Sequence, residues 1–225
     1  MNSTLSRLSP YNIRTITQLQ KNFKILNEKG TRENISILFC DIQDKYIKKI
    51  ANNSELLQKC KVIAEISKTL KFNQIITEQK REVFGGTVRE IISNLNENTK
   101  IIEKSRFSMF SDDEIDKMPI DDVYILLGIE AHICVYQTAL NFIKKDRNVI
   151  VLADAVSSSN LGERKIALEN LRDMGCYVTT CQGLVFLMLQ DSLDENFTLL
   201  LKNLRDLSSI SGNLLLDREE VKGKF

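Results

Sequence analysis

The 225-residue sequence predicts an α/β protein of three layers, with helices on both faces of a mainly parallel central sheet. Two observations carry this. Short, uniformly apolar runs such as Ile35 to Cys40, Val123 to Gly128 and Val149 to Leu152 read as strands buried on both faces, as a parallel sheet requires. Between them lie segments whose apolar residues recur at helical spacing. An apolar content of 43% is enough for a substantial core, and two prolines with nine glycines exclude a low-complexity chain.

The elements follow in order. Ile35 to Cys40 is a strand ending at Asp41, and Ile47 to Leu70 a helix with Leu56, Leu57, Val62, Ile63 and Ile66 inward. Asn73 to Thr77 is a second strand, after which Gly85-Gly86 turns the chain into a helix near Val88 to Leu95. Lys100 to Glu103 is a short third strand, and Val123 to Gly128 a fourth, followed by a helix from Ile133 to Lys145. Val149 to Leu152 is the fifth strand. Glu163 to Met174 is a helix capped by Gly175, Tyr177 to Thr180 a last strand, and Leu184 to Gln190 and Asn196 to Leu207 are closing helices. The expected organisation is an extension over 1–33, one domain over 34–208 and a loosely held tail over 209–225.

Charge and cysteine usage narrow the function classes. With 31 basic and 30 acidic residues the net charge is +1, which gives no footprint for nucleic acid. Five cysteines, at 40, 60, 134, 176 and 181, form an odd, irregular set without a CxxC pair, so reduced thiols fit better than a disulfide framework. The most apolar stretch, Val123 to Ile143, contains Glu130 and His132, so no membrane span is expected. Residues 1–27 carry Arg7, Arg14, Lys21 and Lys24 and no acidic residue. The expectation is an extension or helix packed on a cytoplasmic protein, with a mitochondrial transit segment as the alternative that this bias also fits.

In such folds ligands bind beyond the carboxyl ends of the strands. Reactive groups follow three strands there: Asp41, Lys104, and the segment Gly128 to Cys134. Cys134 is expected in the first turn of a helix, whose unpaired N–H groups and dipole favour a thiolate. A small buried thiol is the ordinary reading of such a cysteine, and it is kept for Cys60, Cys176 and Cys181. Cys40 alternates with Asp41 along the strand and so faces the core if Asp41 faces the site. Asp41 reads equally as a helix cap or as a site carboxylate. Lys100 and Arg106 compete with Lys104 for the same place. His132, the single histidine, leaves no zinc cluster, and its spacing of two from Cys134 does not favour a dyad.

At Gly128-Ile-Glu-Ala-His-Ile-Cys-Val135 the chain resembles the isochorismatase-like cysteine hydrolases, a Rossmann-like family, and within it the isochorismatase domain-containing proteins of eukaryotes. Phe39-Cys-Asp-Ile-Gln43, Thr77-Glu-Gln79, Gly86-Thr-Val88, Lys104-Ser-Arg-Phe-Ser-Met109, Asp154-Ala-Val-Ser-Ser158, Arg164 to Arg172 and Thr179-Thr180 extend the resemblance over Ile35 to Leu207. The resemblance implies a catalytic triad of Asp41, Lys104 and Cys134, a cis peptide at Ile129–Glu130, and an oxyanion hole from the N–H groups of Glu130 and Cys134. It implies a pocket lined by Gln43, Tyr46, Gln79, Phe107 and Tyr136, a small amide-like substrate, no cofactor, and a homo-oligomer, dimer or tetramer. The departures matter too. Nicotinamidases of this superfamily hold a metal through an Asp and His cluster after the second strand, where this chain has Thr77-Glu-Gln79 and no histidine. Isochorismatases proper lack the cysteine.

Overall fold

The computed structural model describes residues 34–120, 122–189 and 191–215. The extension over 1–33, with its transit reading, lies outside the described residues. Six parallel strands form one sheet in the order β3-β2-β1-β4-β5-β6. They are β1 (Ile35–Cys40), β2 (Asn73–Gln79), β3 (Lys100–Lys104), β4 (Val123–Ile129), β5 (Asn148–Ser157) and β6 (Tyr177–Thr179). The central strands β1, β4 and β5 are buried along their whole length, the signature of a sheet covered on both sides.

Strand alternation divides the core in two. Ile35, Ile37 and Phe39 of β1 with Val123, Ile125 and Leu127 of β4 face one layer, where they meet α1 (Asn53–Thr69), α7 (Cys181–Leu189) and α8 (Glu195–Ser209). Leu38 and Cys40 with Tyr124 and Leu126 face the other, under α5 (Tyr136–Lys144) and α6 (Leu161–Asp173). The remaining helices are single turns: α2 (Arg81–Phe84), α3 (Arg89–Ile92) and α4 (Asp112–Asp116). The last is set by a full capping box in which Ser111 and Glu114 exchange hydrogen bonds.

Several expected boundaries shift. The helix expected over Ile47 to Leu70 is a 3-10 turn at Ile47–Lys49 followed by α1, because Asn52 sits at φ 52° and interrupts it. β5 continues to Ser157, so Asp154 lies within a strand, where Lys59 pairs with it at 3.5 Å and the Cys181 N–H donates to it at 2.7 Å. β3 includes Lys104 rather than ending before it. α2 and α4 have no counterpart among the expected elements, and neither is long enough to show a periodicity. The tail was expected to be loose, yet over 209–215 it is held. Leu214 is buried, and the buried Glu55 carboxylate accepts from the Leu214 N–H at 3.1 Å and from the Ser211 hydroxyl at 3.0 Å.

Gly128, near the end of β4, is where the fold tolerates no side chain. Its φ is +116°, the register with β5 slips beside it, and a Cβ there would collide with the backbone of Cys40 on β1. Gly175 also has a positive φ, +101°, but open space around it. Gly128→Ala should therefore lose about 2–5 kcal/mol, conformational penalty plus overpacking, against about 1–2 kcal/mol for Gly175→Ala. Urea unfolding of the two variants measures the difference, and equal losses would contradict the close approach.

Candidate active site

The carboxyl ends of β1, β2, β3 and β4 converge on a cavity of about 440 Å³. Asp41 follows β1 with φ 51°, a left-handed conformation that aspartate tolerates better than most residues. This turn is fixed by its own N–H, which donates to the Thr77 carbonyl at 3.1 Å, and by its carbonyl, which accepts from Gln43 N–H at 2.8 Å. The side chain leaves the alternation of β1 and meets Lys104, which reaches across β2 from the last position of β3.

The Lys104 ammonium lies 2.6 Å from Asp41 Oδ2 and 2.8 Å from Gln79 Oε1. Arg106 O at 3.2 Å, Phe107 O at 3.1 Å and Cys134 Sγ at 3.8 Å surround it further. An ammonium has three hydrogens, so with Asp41 and Gln79 taking two, the third is shared among the two carbonyls and the sulfur. Asp41 Oδ1 accepts from the Thr77 hydroxyl at 2.7 Å, and the neighbouring Cys134 thiol also favours the charged form of this carboxylate. Lys104 thus touches both other members of the expected triad. Its competitors do not: Arg106 pairs with Glu114 at the surface, and Lys100 is exposed.

Burial sets the electrostatics. Desolvation pushes the Asp41 carboxyl above the usual carboxylate range, although Lys104, Thr77 and Cys134 all pull it back. For Lys104, burial works against the ammonium, but the neighbouring Cys40, Asp41 and Cys134 outweigh it, and its pKa is raised. Cys40 was expected to face the core away from the site. It is fully buried, yet it neighbours Cys134, and burial, that neighbour and the Asp41 charge push its pKa up and keep it protonated. The apolar layer beneath the site therefore begins with a second sulfur.

Cys134 lies not in the first turn of an α-helix but in a π-helical turn, Ala131–Val135, that precedes α5. The Val135 N–H donates to the Glu130 carbonyl five residues back at 3.2 Å, the wide hydrogen bond of such a turn. The Ile129–Glu130 peptide is cis. The Glu130 carboxylate accepts from Tyr46 OH, from Ser159 N–H at 2.6 Å and from Ser159 Oγ at 2.8 Å. Burial would raise its pKa, but these donors and His132 lower it, so Glu130 is a fully engaged carboxylate. Tyr46, pushed up to about 12 by burial and by Glu130, stays a phenol. His132 turns to Ser158 Oγ at 2.9 Å.

Of the expected pocket residues, Gln43, Tyr46, Gln79 and Phe107 line the cavity together with Asp41, Ile129, Glu130 and Cys134. Tyr136 does not. The π turn inserts a residue before α5, and Tyr136 packs half-buried on the core layer beneath. Lys80, Val83, Phe84, Ser105 and Ile133 also line the cavity and were missed. The apolar pair Val83-Phe84 directly before Gly85-Gly86 was the available signal for part of this set. Gln43 is a brace more than a ligand: its amide donates to the carbonyls of Gln79 (3.1 Å) and Gly85 (2.6 Å) and accepts from Gln79 N–H (2.7 Å). Among the described residues no group of three or more His, Cys, Asp or Glu is arranged to hold a metal ion.

The fold around this strand-end pocket is shared with solved isochorismatase-like hydrolases. The sequence profile of the Isochorismatase domain matches residues 36–183, and the chain belongs to that family. It is 36% identical over 190 residues to Isochorismatase family protein 1A of Dictyostelium discoideum, covering 81% of this chain and 90% of that one. With Isochorismatase domain-containing protein 2 of Homo sapiens it shares 29% over 182 residues, covering 80% and 87%. Among solved structures, one described as the MAR1 ribonuclease from Caenorhabditis elegans superposes with a TM-score of 0.76 at 30% identity, covering 83% of this chain and 96% of that one.

The Lys104–Asp41 pair is nearly inaccessible, with side-chain exposures of 3% and 6%. Removing one partner of such a pair strands the other charge. Lys104→Met should therefore destabilise the protein by about 3–5 kcal/mol, while Lys104→Met with Asp41→Asn recovers a large part of that loss. A double-mutant cycle from denaturant unfolding reads the coupling, and additive losses would mean that the two groups do not sense each other.

Proposed function

We propose that the chain is a metal-independent cysteine hydrolase that cleaves a small amide-like C–N bond through a thioester on Cys134. The observation that carries this reading is the single ammonium of Lys104 touching both the Asp41 carboxylate and the Cys134 sulfur at the base of the cavity.

In this mechanism Asp41, held beside Cys134 by their shared contact with Lys104, takes the thiol proton. Lys104 offsets the repulsion between carboxylate and thiolate that would otherwise disfavour the transfer. The sulfur attacks the carbonyl carbon, and the tetrahedral oxyanion is received by the backbone N–H groups of Glu130 and Cys134. Collapse breaks the C–N bond, and the leaving nitrogen takes the proton back from Asp41. Water, deprotonated by the same carboxylate, then attacks the thioester and returns the thiol together with the carboxylic acid. Tyr46, Ser159 and Glu130 hold the start of the π turn and so position the receiving N–H groups.

A second reading comes from the name carried by the similar Caenorhabditis elegans structure, a ribonuclease. Against it stand a net charge of +1 and a cavity lined by Val83, Phe84, Ile129 and Ile133. A short RNA therefore belongs in any substrate panel.

The test combines labelling and turnover. Iodoacetamide should alkylate Cys134 ahead of the other four thiols, and Asp41→Asn should slow both alkylation and ammonia release from amides, the latter by about 10²–10⁴-fold. Ammonia release should vanish in Cys134→Ala. Catalysis needs ionised Asp41, whose pKa burial raises, so the rate should fall with acidification through a limb above the ordinary aspartate value of about 4. Thr77→Val removes a donor to that carboxylate and should move the limb to higher pH. A Cys134 no more reactive than its neighbours, with no turnover of any amide, would leave an interaction protein in place of an enzyme. RNA cleavage that survives in Cys134→Ala would likewise sink the thioester reading.

A further inference from the structure

Lys80 has no role in the chemistry above, yet it is the only cationic side chain among the described residues that line the cavity. Its backbone is held unusually firmly for an exposed lysine. The residue adopts φ 35°, its N–H donates to the Lys104 carbonyl at 3.0 Å, and its carbonyl accepts from the N–H groups of Val83 at 2.8 Å and Phe84 at 3.1 Å. The same Lys104 whose carbonyl fixes Lys80 carries the ammonium that contacts Asp41 and Cys134. The stem of Lys80 is thus referenced to the reacting sulfur through one intervening residue.

Apart from the exposed Ser105 hydroxyl, the other polar side chains above the thiol are committed to the protein. Gln43 and Gln79 spend their amide groups on each other, on Gly85 O, on Ser105 O and on Lys104. The Glu130 oxygens are covered by Tyr46 and Ser159, and the Asp41 charge is matched by Lys104. Much of the remaining wall is apolar, with Val83, Phe84, Phe107, Ile129 and Ile133. A ligand entering this space meets the buried Cys134 thiol, an apolar wall and the exposed Lys80 side chain. No interaction of that ammonium with another described residue competes for it.

We propose that Lys80 is a specificity-determining residue that anchors a carboxylate, and that the substrates are small amides whose carboxylate lies at the opposite end from the scissile bond. This deepens the reading of Cys134 as nucleophile and rests on it for the orientation of the substrate. The anchor is electrostatic, because an ammonium is a compact point charge on a flexible stem. It acts on substrate and transition state alike and belongs in KM rather than kcat.

The experiment uses two probes of equal length, glutaramate, with a terminal carboxylate, and neutral pentanamide. Their binding to the non-turnover variant Cys134→Ala is measured by calorimetry, with and without Lys80→Met. The expected result is tighter binding of glutaramate by about tenfold, within the range of a charge-assisted contact. The preference should fall to within about twofold in Lys80→Met, persist in Lys80→Arg, and shrink as salt is raised. Equal affinities, a preference that survives Lys80→Met, or one lost in both Lys80 variants would each overturn the anchor. Ammonia release by the wild-type chain separates the two readings. A binding preference that depends on Lys80, with no release from any amide, leaves the anchor standing and removes the hydrolase. Release from both amides at equal KM does the reverse.

Discussion

The buried contact between Lys104 and Asp41 is the interaction on which the site depends. Two opposite charges are held 2.6 Å apart with almost no exposure, on strands that are not neighbours in the sheet. Such a pair is sustained only when the remaining hydrogen-bonding capacity of both groups is met. Thr77 and Gln79, from the intervening strand β2, meet part of it directly. The register that aligns Cys40 with Thr77 and Gln79 with Lys104 is therefore an electrostatic requirement as well as a packing result. Slipping β2 by one residue would turn Thr77 and Gln79 to the other face and leave the pair under-solvated.

What the sequence revealed follows the strength of the physical signal. β1 and β4 are legible because uniform burial writes a continuous apolar run, and the end of β1 placed Asp41 correctly. The short elements α2 and α4 were silent, since four or five residues cannot show a helical period, and the pocket residues on α2 went unseen with them. Lys104 could not be told from Lys100 or Arg106 by its surroundings in sequence. Only a contact across β2 singles it out, and the family resemblance supplied what spacing did not. The π turn at Ala131–Val135 was equally hidden, because one additional residue in a helical ring has no compositional mark, and it displaced Tyr136 from the pocket.

Cys40 illustrates a limit of period-two reasoning. Alternation places it opposite Asp41, and it does join the layer beneath α5 and α6. Asp41, however, departs from strand geometry at φ 51°, and Cys134 descends from the π turn into the same layer. The two thiols meet because the site is built at the boundary between core and cavity and not above it. Gly128 makes that boundary tight, letting β4 approach the backbone of Cys40 with no side chain between them.

β3 is an edge strand, bonded on one side only and largely exposed, with charged residues at Lys100 and Glu103 that discourage pairing by a foreign strand. An edge strand is ordinarily the first part of a sheet to fray. Here its last residue is clamped by the groups that Lys104 gathers, and its carbonyl holds the loop that carries Lys80. The candidate site is in this sense also the fastener of the sheet's weakest margin. Substitutions of the Lys104 ammonium would loosen that margin as well, so whatever this position does at the site, folding constrains how it can diverge.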